Sequence, residues 1–503
     1  MKINNKGNIE MKIITYLLVA AILTVGCSEI LNKEPLGEVS ESSAYTSDND
    51  ASQSLTSVYH VLLEFPSLFR YGIFDIASDD ARKGGEGASD GAWMREFSHY
   101  TLNSENEIAG WIWEYSYLGI NRANRVLENV PDIEMDQNKK DRILGEAKFL
   151  RAFFYFYLTT LYGDVPLITD SQVNTNEVER TSKNLVLELI YQDLRDASEV
   201  LPLKSQLSNQ ELGRATKGAA QAYLGKVFLY QGNFQNAESW FQRVIDSNEY
   251  SLDSKYARIF NIEGEFGPGN IFELNFRFDP QFPSVANAGT IRRGSAGMYG
   301  WGFSNPTQDL VDEFEPNDPR FQQTVFQDGD TLPDGKIGDV GNSETGYSSM
   351  KPYMSESETP PTGSPRDSGI NEVLLRYGQL LLWYAEASNE NGKTDQALNA
   401  LNKVRERARQ GNTNILPDVS TTDKDLLREK IWHEERVEYA MENKRWFDLV
   451  RQGRVGEVLR NYSEKYNTSK GGNFQDGIHE LFPIPQSEID LSQGNLGQNP
   501  GYN

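Results

Sequence analysis

The chain contains 503 residues, of which 49 are Lys or Arg and 73 are Asp or Glu, so its net charge is −24 and its isoelectric point is near 4.7. So acidic a surface repels the phosphates of nucleic acids and anionic lipid headgroups, which argues against nucleic acid as a partner. Apolar residues make up 38% of the chain and aromatic residues 11%. These fractions are too high for an acidic disordered protein, so we expect a folded protein with a sizeable core.

The N-terminal segment has the layout of an export signal. The apolar run Ile13–Val25 follows three lysines, and it is too short for a bilayer core, which needs about 20 helical residues. Gly26 and the chain's single cysteine, Cys27, come next. A small residue and a Cys at this place resemble the lipobox of bacterial lipoproteins, although Leu23 lies one residue further from the Cys than is usual. We predict a signal peptide over 1–26, lipidation of Cys27 and an acidic tether over 27–48; the alternative is an ordinary signal peptide.

Four amphipathic helices are expected in the first part of the mature chain. Apolar residues recur three or four positions apart, the spacing that gives a helix one buried face, in Asn49–Leu63, Trp113–Leu127, Leu144–Tyr162 and Asn184–Leu201. The third segment carries Phe and Tyr on all sides. We therefore expect it to be a central helix that is buried on most of its surface.

Two later segments share the small and large residue pattern of a tetratricopeptide unit. Gly225 and Ala237 are small where two antiparallel helices approach closely, and Ala385 and Ala397 hold the equivalent places in a second copy. The two copies comprise Leu224, Gly225, Phe228, Gly232, Phe234, Ala237, Phe241 and Val244, and then Tyr384, Ala385, Gly392, Ala397, Leu401 and Val404. The pattern predicts a mostly α-helical repeat scaffold.

The stretch between the two copies has a different composition. Residues 254–369 contain 15 Gly and 11 Pro, too many for continuous helix, so we expect loops and short strands such as Asn270–Phe278. Helix is predicted again at Asn371–Asn391, Thr394–Arg409 and Thr422–Arg451. The sequence thus indicates one domain over 49–503, with a scaffold at 49–253 and 370–451, a Gly/Pro-rich insertion at 254–369 and an extended C-terminal segment at 452–503.

Four sequence segments carry a family resemblance. They are INRANRVLEN from Ile120, RAFFYFYLTTLYGDVPLI from Arg151, EERVEYAMENKRWFDLVRQG from Glu434 and LFPIPQSEIDLSQGNLGQNPGY from Leu481. In this order, behind a lipoprotein signal, they resemble the SusD-like (RagB/SusD) family of Bacteroidetes outer-membrane nutrient-binding lipoproteins. The resemblance implies four tetratricopeptide-like helix pairs beside an irregular half. It also implies binding of oligosaccharides, or of peptides in some branches, by a lid on a TonB-dependent, SusC-like outer-membrane transporter.

Residues for catalysis or metal binding do not form a known pattern. The four histidines are scattered, and His433-Glu434 is followed by Val437 where a zinc-protease helix needs its second His. A glycosidase needs only two carboxylates, which leaves that class open. Asp328, Asp330, Asp334 and Asp339 depart from the EF-hand pattern at Leu332, so we expect solvated turn carboxylates rather than a calcium site. We predict a protein that is not an enzyme and has no cofactor and no metal.

Two aromatic, Gly-rich loops are the candidate ligand site. A sugar ring offers an apolar face that packs on an aromatic ring, while its hydroxyls need polar partners. Such residues occur in 78–100 and in 294–305, the loops in which the resemblance also implies ligand contacts. The candidates are Asp79, Asp80, Arg82, Trp93, Arg95 and Tyr100 in the first loop, and Tyr299, Trp301 and Phe303 in the second. The alternative is that these aromatics plug the loops onto the scaffold.

The function that the sequence favours is a surface lipoprotein that binds a glycan and delivers it to its transporter. Two alternatives remain open: a peptide-binding member of the same family, and a tetratricopeptide scaffold without affinity for sugar. Arg445, Trp446, Phe447 and Asp448 mark the family resemblance, but their helical setting predicts core packing and ion pairing rather than ligand contact.

Overall fold

The computed structural model describes residues 45–502 except 65–70, 88, 280, 282–286, 288 and 360–367. The predicted signal peptide, Cys27 and nearly all of the tether therefore lie outside the described residues. Among the residues described, no helix is both long enough and apolar enough to cross a membrane.

The described part of the chain is mainly helical. The helices are α1 (Asp48–Glu64), α2 (Ile73–Ala77), α3 (Ala92–His99), α4 (Glu107–Asn129), α5 (Gln137–Tyr162), α6 (Lys183–Val200), α7 (Lys217–Tyr230), α8 (Phe234–Asp246), α9 (Gly289–Arg293), α10 (Gln308–Glu313), α11 (Tyr377–Glu390), α12 (Thr394–Ala408), α13 (Lys424–Tyr439), α14 (Arg445–Arg451), α15 (Val455–Lys465) and α16 (Gln486–Leu491). The strands are β1 (Ala81–Lys83), β2 (Asn270–Leu274), β3 (Ser304–Pro306), β4 (Val325–Phe326), β5 (Ser348–Ser349) and β6 (Glu372–Arg376). The predicted mostly α fold is confirmed.

Local sequence signals explain where the scaffold helices begin and end. The side chain of Asn106 accepts the backbone N–H groups of Ile108 and Ala109, at 3.1 and 3.3 Å, at the start of α4. Asp136 caps α5 in the same way. Such a cap satisfies N–H groups that otherwise lack partners and stabilises a helix by about 1 kcal/mol. α5 ends at Gly163, whose φ of 75° favours glycine.

The two repeat units form helix pairs, α7 with α8 and α11 with α12. Gly232 and Gly392 make the turns of the two pairs with φ of 67° and 74°. A Cβ on Gly225 would lie 2.4 Å from the ring of Phe241, so a larger residue there would push α7 and α8 apart.

The helices pack in sequence into one scaffold. α1 packs on α4, α4 on α5, α5 on α6, α6 on α7, α7 on α8, α8 on α11, and α11 on α12 and α13. Their apolar faces form one continuous core. Every residue of Phe149–Leu158 is buried, as expected for the central helix α5.

The described part of the insertion consists of loops, short helices and short strands. β2 pairs with β6 in antiparallel fashion, with Asn270 opposite Arg376, and this ladder closes the base of the insertion. β4 pairs with β5, and β1 pairs with β3. The insertion also has a small core of its own, formed by Phe326, Leu332, Val340, Met350 and Tyr353.

Three predicted segments need correction. The segment predicted as helix from Asn371 begins as strand β6, which pairs with β2 before α11 starts. The helix predicted over Thr422–Arg451 is two helices, α13 and α14, because the chain turns at Met441 and Asn443 with φ of 61° and 58°. The C-terminal segment predicted as extended contains α15 and α16; its prolines lie outside these helices or at the start of α16.

A buried ionic network fixes the insertion to α13. The Nη1 of Arg320 donates to Glu434 at 2.6 Å and to Glu438 at 2.9 Å, and its Nη2 donates to Asp318 at 2.8 Å. All four side chains are at most 1% exposed. Burial alone would raise the pKa of Glu438, but Arg407, Arg376 and Arg320 hold it far below its usual value. Removing one partner of such a network leaves an unpaired buried charge, which is strongly destabilising.

Candidate functional site

Backbone hydrogen bonds bring the two candidate loops side by side. In the ladder between β1 and β3, Arg82 lies opposite Asn305, and the N–H of Gly84 donates to the carbonyl oxygen of Phe303 at 2.9 Å. A Cβ on Gly84 would lie 2.0 Å from the carbonyl oxygen of Gly302. This close approach therefore requires glycine and makes the two loops one structural unit.

Three partly exposed aromatic rings and one guanidinium group lie at this junction. The rings of Tyr71 and Trp93 meet edge to face with centroids 4.9 Å apart, and Trp301 lies 5.5 Å from Phe303. The guanidinium of Arg292 is 4.6 Å from the Tyr71 ring and 5.9 Å from the Trp301 ring. Such cation–π contacts hold rings in place. We call Tyr71, Trp93, Trp301 and Arg292 the aromatic surface.

Asp79 and Asp80 are buried below the loops. Asp79 accepts two hydrogen bonds from Arg445, at 2.9 and 3.0 Å, and lies 2.9 Å from Nη2 of Arg436. Asp80 accepts from Nε of Arg436 at 2.9 Å. Although burial alone would raise it, the two guanidinium groups hold the pKa of Asp79 well below its usual range. Both carboxylates are 1% exposed, so they support the loop and are not positioned to contact a ligand.

Three of the aromatic candidates act as plugs in the structure. The hydroxyl of Tyr100 donates to the carbonyl of Ala77 at 2.5 Å, and the side chain is 8% exposed. The hydroxyl of Tyr299 donates to the carbonyl of Pro352 at 2.9 Å, and its burial raises its pKa. Phe303 is 5% exposed and supports the aromatic surface from behind. For these three residues the structure therefore favours the alternative, in which the aromatic side chains hold the loops on the scaffold, over direct ligand contact.

The two candidate arginines differ in their surroundings. Arg82 lies 3.6 Å from Glu344, and the two side chains are 39% and 49% exposed. So exposed an ion pair is weak, and both groups are accessible to a ligand. Arg95 lies two positions after Trp93 on α3, so it leaves the helix on a different face from Trp93. Arg95 therefore does not belong to the aromatic surface.

Two members of the aromatic surface were missed in the sequence. Tyr71 precedes α2, outside both candidate loops, and Arg292 lies on α9, just before the second loop. The pair Arg292-Arg293 before a Gly-rich stretch is the one local signal that pointed toward Arg292. Nothing in the sequence near Tyr71 indicates its contact with Trp93.

The aspartates of the suspected calcium loop bind protein groups. Asp328 accepts the backbone N–H of Val340 at 2.7 Å, and Asp334 accepts the hydroxyl of Tyr353 at 2.8 Å. Within the described ranges, no group of three or more His, Cys, Asp or Glu side chains is arranged to hold a metal ion. The loop carboxylates thus stabilise the turns of the insertion.

The comparison with known proteins decides the family. Residues 259–502 match the model described as SusD family, and residues 38–229 match the model described as starch-binding associating with outer membrane. The protein belongs to the SusD-like family. The resemblance seen in the four sequence segments is confirmed, and so is the tetratricopeptide-like helical fold.

Relatives and a solved structure match over most of their length. SusD-like protein P2 of Formosa agariphila is 28% identical over 97% of this chain and 99% of its own. The starch-binding protein SusD of Bacteroides thetaiotaomicron is 24% identical and covers 78% of both chains. A solved laminarin-binding SusD-like protein is 28% identical with a TM-score of 0.78, covering 91% of this chain and 100% of that chain. The last two relatives are named as binding proteins for starch and for laminarin.

The residues that mark the family segment after Glu434 are structural. Trp446 is 0% and Phe447 4% exposed. Asp448 lies 2.8 Å from Arg451, and Arg445 binds Asp79. The predicted role of these residues in core packing and ion pairing is confirmed.

Proposed function

We propose that this SusD-like protein binds an oligosaccharide at the aromatic surface and delivers it, as a lid, to a TonB-dependent, SusC-like outer-membrane transporter. The observation that carries the proposal is the β1–β3 ladder, which holds Trp93 and Trp301 in two adjacent loops as partly exposed rings. The starch-binding and laminarin-binding relatives support a glycan as the ligand class.

The proposed contacts are three of the sequence candidates, Trp93, Trp301 and Arg82, supported by Tyr71, which the structure adds. Trp93 and Trp301 are the platforms for the apolar faces of sugar rings. Tyr71 packs on Trp93, and Arg292 lies between the Tyr71 and Trp301 rings. Arg82 is a partly exposed polar group of the first loop and donates hydrogen bonds to sugar hydroxyls. The buried candidates act indirectly by fixing the loops.

The proposed reaction is binding and release, without cleavage of the glycan. Asp79 and Asp80, the only acidic residues among the candidates, are both held by arginines. A glycosidase needs one acid that gives up its proton and one carboxylate that faces the sugar. Burial raises the pKa of Asp80 to about 6, but both carboxyl groups are 1% exposed, so neither faces a bound sugar.

Export and anchoring follow from the N-terminal segment. We propose that Cys27 is lipidated and holds the protein on the outer membrane with its folded domain facing outward. Two or more acyl chains give a stable anchor, whereas one chain binds only marginally. The insertion at 254–369 and the C-terminal segment at 452–503 are the proposed contact side for the transporter.

The test is a binding screen with the mature protein. Immobilised oligosaccharides that include laminarihexaose and maltohexaose, together with a set of peptides, are probed with the wild type and with Trp301→Ala. We expect binding to one class of oligosaccharide that is lost in the variant. Trp240→Ala is the matched control, because Trp240 is also half-buried and packs under an arginine, Arg243 at 4.1 Å, but lies on α8. Binding of peptides but of no oligosaccharide by the wild type would contradict the proposal.

A further inference from the structure

A second cavity lies between α13 and α15 and shares no residue with the aromatic surface. Its volume is about 650 Å³, within the range of small-molecule sites. α13 contributes residues spaced three and seven positions apart, and α15 contributes residues spaced four and eight apart, so each helix presents one face. These residues are Glu429, Trp432 and Arg436 on α13, and Glu457, Asn461 and Lys465 on α15. We call this cavity the polar groove.

The charged side chains at the floor of the polar groove already have counter-ions within the protein. It consists of Asp79, Arg436 and Arg445, which bind one another and are at most 8% exposed. At one end, Lys465 lies 2.7 Å from Asp309. Arg436 also pairs with Asp80 and Glu313, at 2.9 and 3.0 Å. These groups therefore need no ligand for charge balance.

Arg454 is the exception among the cations of the groove. Its guanidinium lies 4.7 Å from the ring of Trp432, and its Nη1 donates to Gln452 at 3.3 Å. In the part of the chain that the structure describes, no carboxylate comes within 4.0 Å of it. Burial and the nearby charge of Arg445 lower its pKa, as expected for a cation that lacks a close counter-ion. The planar guanidinium has donors left over for an anionic group with two oxygens.

The ring under Arg454 is itself fixed. Nε1 of Trp432 donates to Glu386 at 2.9 Å, so the indole is held on α13 while Arg454 stacks on it. A stacked guanidinium keeps its edge free for hydrogen bonds, and less rotamer freedom is lost when a ligand binds. The pair thus forms a preorganised anion receptor at one end of the groove.

Acceptor groups face the same space from α15. Glu457 and Asn461 are exposed; among the described residues, no cation lies within 4.0 Å of Glu457, and the Asn461 side chain makes no hydrogen bond. A carboxylate and an amide are the partners that sugar hydroxyls need. Groups for an acid and for hydroxyls therefore converge in one groove.

We propose that the polar groove binds an acidic sugar residue, with its carboxylate or sulfate on Arg454 and its hydroxyls on Glu457 and Asn461. This second site discriminates charged from neutral glycans. It is independent of the proposed stacking of a glycan on Trp93 and Trp301.

The test uses three probes of the same ring size with the full mature protein in calorimetric titrations. Galacturonic acid carries a carboxylate, galactose 6-sulfate carries a sulfate, and galactose is the neutral reference. We expect at least one acidic sugar to bind at least tenfold more tightly than galactose, with an affinity that falls as salt is raised. The acid that binds shows whether the anionic group recognised by the groove is a carboxylate or a sulfate. Equal affinity for all three, or no binding of either acid, overturns the proposal.

Substitutions locate the site. Arg454→Gln should weaken the acidic sugar at least tenfold, and Arg454→Lys, which keeps the charge but not the planar donor pair, should weaken it less. Arg460→Gln is the matched control, because Arg460 lies on α15, which begins directly after Arg454, and pairs instead with Asp476 at 2.8 Å. Thermal unfolding checks that each variant is folded; unchanged affinity in folded Arg454→Gln overturns the proposal. Trp301→Ala should leave this binding intact, so failure of the polar groove and failure of the aromatic surface are distinguishable.

Discussion

Arg445 donates from Nε and Nη2 to the two carboxylate oxygens of Asp79, at 2.9 and 3.0 Å, and both side chains are buried. The pair connects α14, which carries a family segment, to the loop that leads into β1. Since β1 pairs with β3 next to Trp301, the position of the aromatic surface depends on an ion pair in the scaffold.

Removal of Asp79 should therefore destabilise the protein. Asp79→Ala removes a counter-ion from two buried guanidinium groups, those of Arg445 and Arg436. Loss of one partner of a buried ion pair costs about 3 to 5 kcal/mol of stability. Urea unfolding followed by tryptophan fluorescence measures the change in the free energy of unfolding.

An exposed pair supplies the control for that measurement. Arg460 and Asp476 are 47% and 63% exposed, so Asp476→Ala should change stability by about 0 to 1 kcal/mol. Equal effects of the two substitutions would show that the Asp79 pair is not what fixes the loop.

His433 should make stability depend on pH. Burial alone would lower its pKa, but Glu313, 2.8 Å from Nδ1, and Glu315 raise the pKa of His433 to about 9. The unfolded value is about 6.5, so the stabilisation is fully present below pH 6.5 and is lost as the pH rises through 9. We expect His433 to contribute a decline of about 1 to 3 kcal/mol in the free energy of unfolding between these values.

The measurement is urea unfolding at pH 6, 7, 8 and 9 for the wild type, His433→Gln and His60→Gln. His433→Gln should flatten the decline. The exposed His60 is the control, and its variant should keep the wild-type slope. A slope in His433→Gln equal to that of the wild type speaks against the assignment.

The helical scaffold was predictable from the sequence because its signals are local. Gly232 and Gly392 occupy the same place in two repeats, and the apolar spacing of each helix lies within the helix itself. The register of the loops was not predictable, because Gly84 and Phe303 meet only through the tertiary fold. The same holds for Asp79, whose burial depends on Arg436 and Arg445 at the far end of the chain. Polar residues in a Gly-rich loop look exposed until their partners are known.

Lipidation of Cys27 is a separate prediction. Radiolabelled palmitate should enter the wild type, which should fractionate with outer membranes. Cys27→Ala should take up no label and should be recovered in the soluble fraction, because no acyl chain remains to hold it. Equal labelling of both proteins would contradict the prediction.

Association with a transporter is tested by purification. Outer membranes solubilised in mild detergent should yield this protein with a large β-barrel protein in near-equal amount. Recovery of this protein alone, under conditions that keep other outer-membrane complexes intact, counts against the association.

Stacking of a glycan on Trp301 and Trp93 is measured by calorimetric titration with the oligosaccharide that binds in the screen. By analogy with bases on aromatic platforms, a ring stacked on an aromatic contributes about 1 to 3 kcal/mol. Trp301→Ala should therefore weaken binding roughly ten- to a hundredfold, with a nearly unchanged thermal midpoint, while Trp240→Ala retains wild-type affinity. If folded Trp301→Ala binds the oligosaccharide as tightly as the wild type, the aromatic surface is not the binding site.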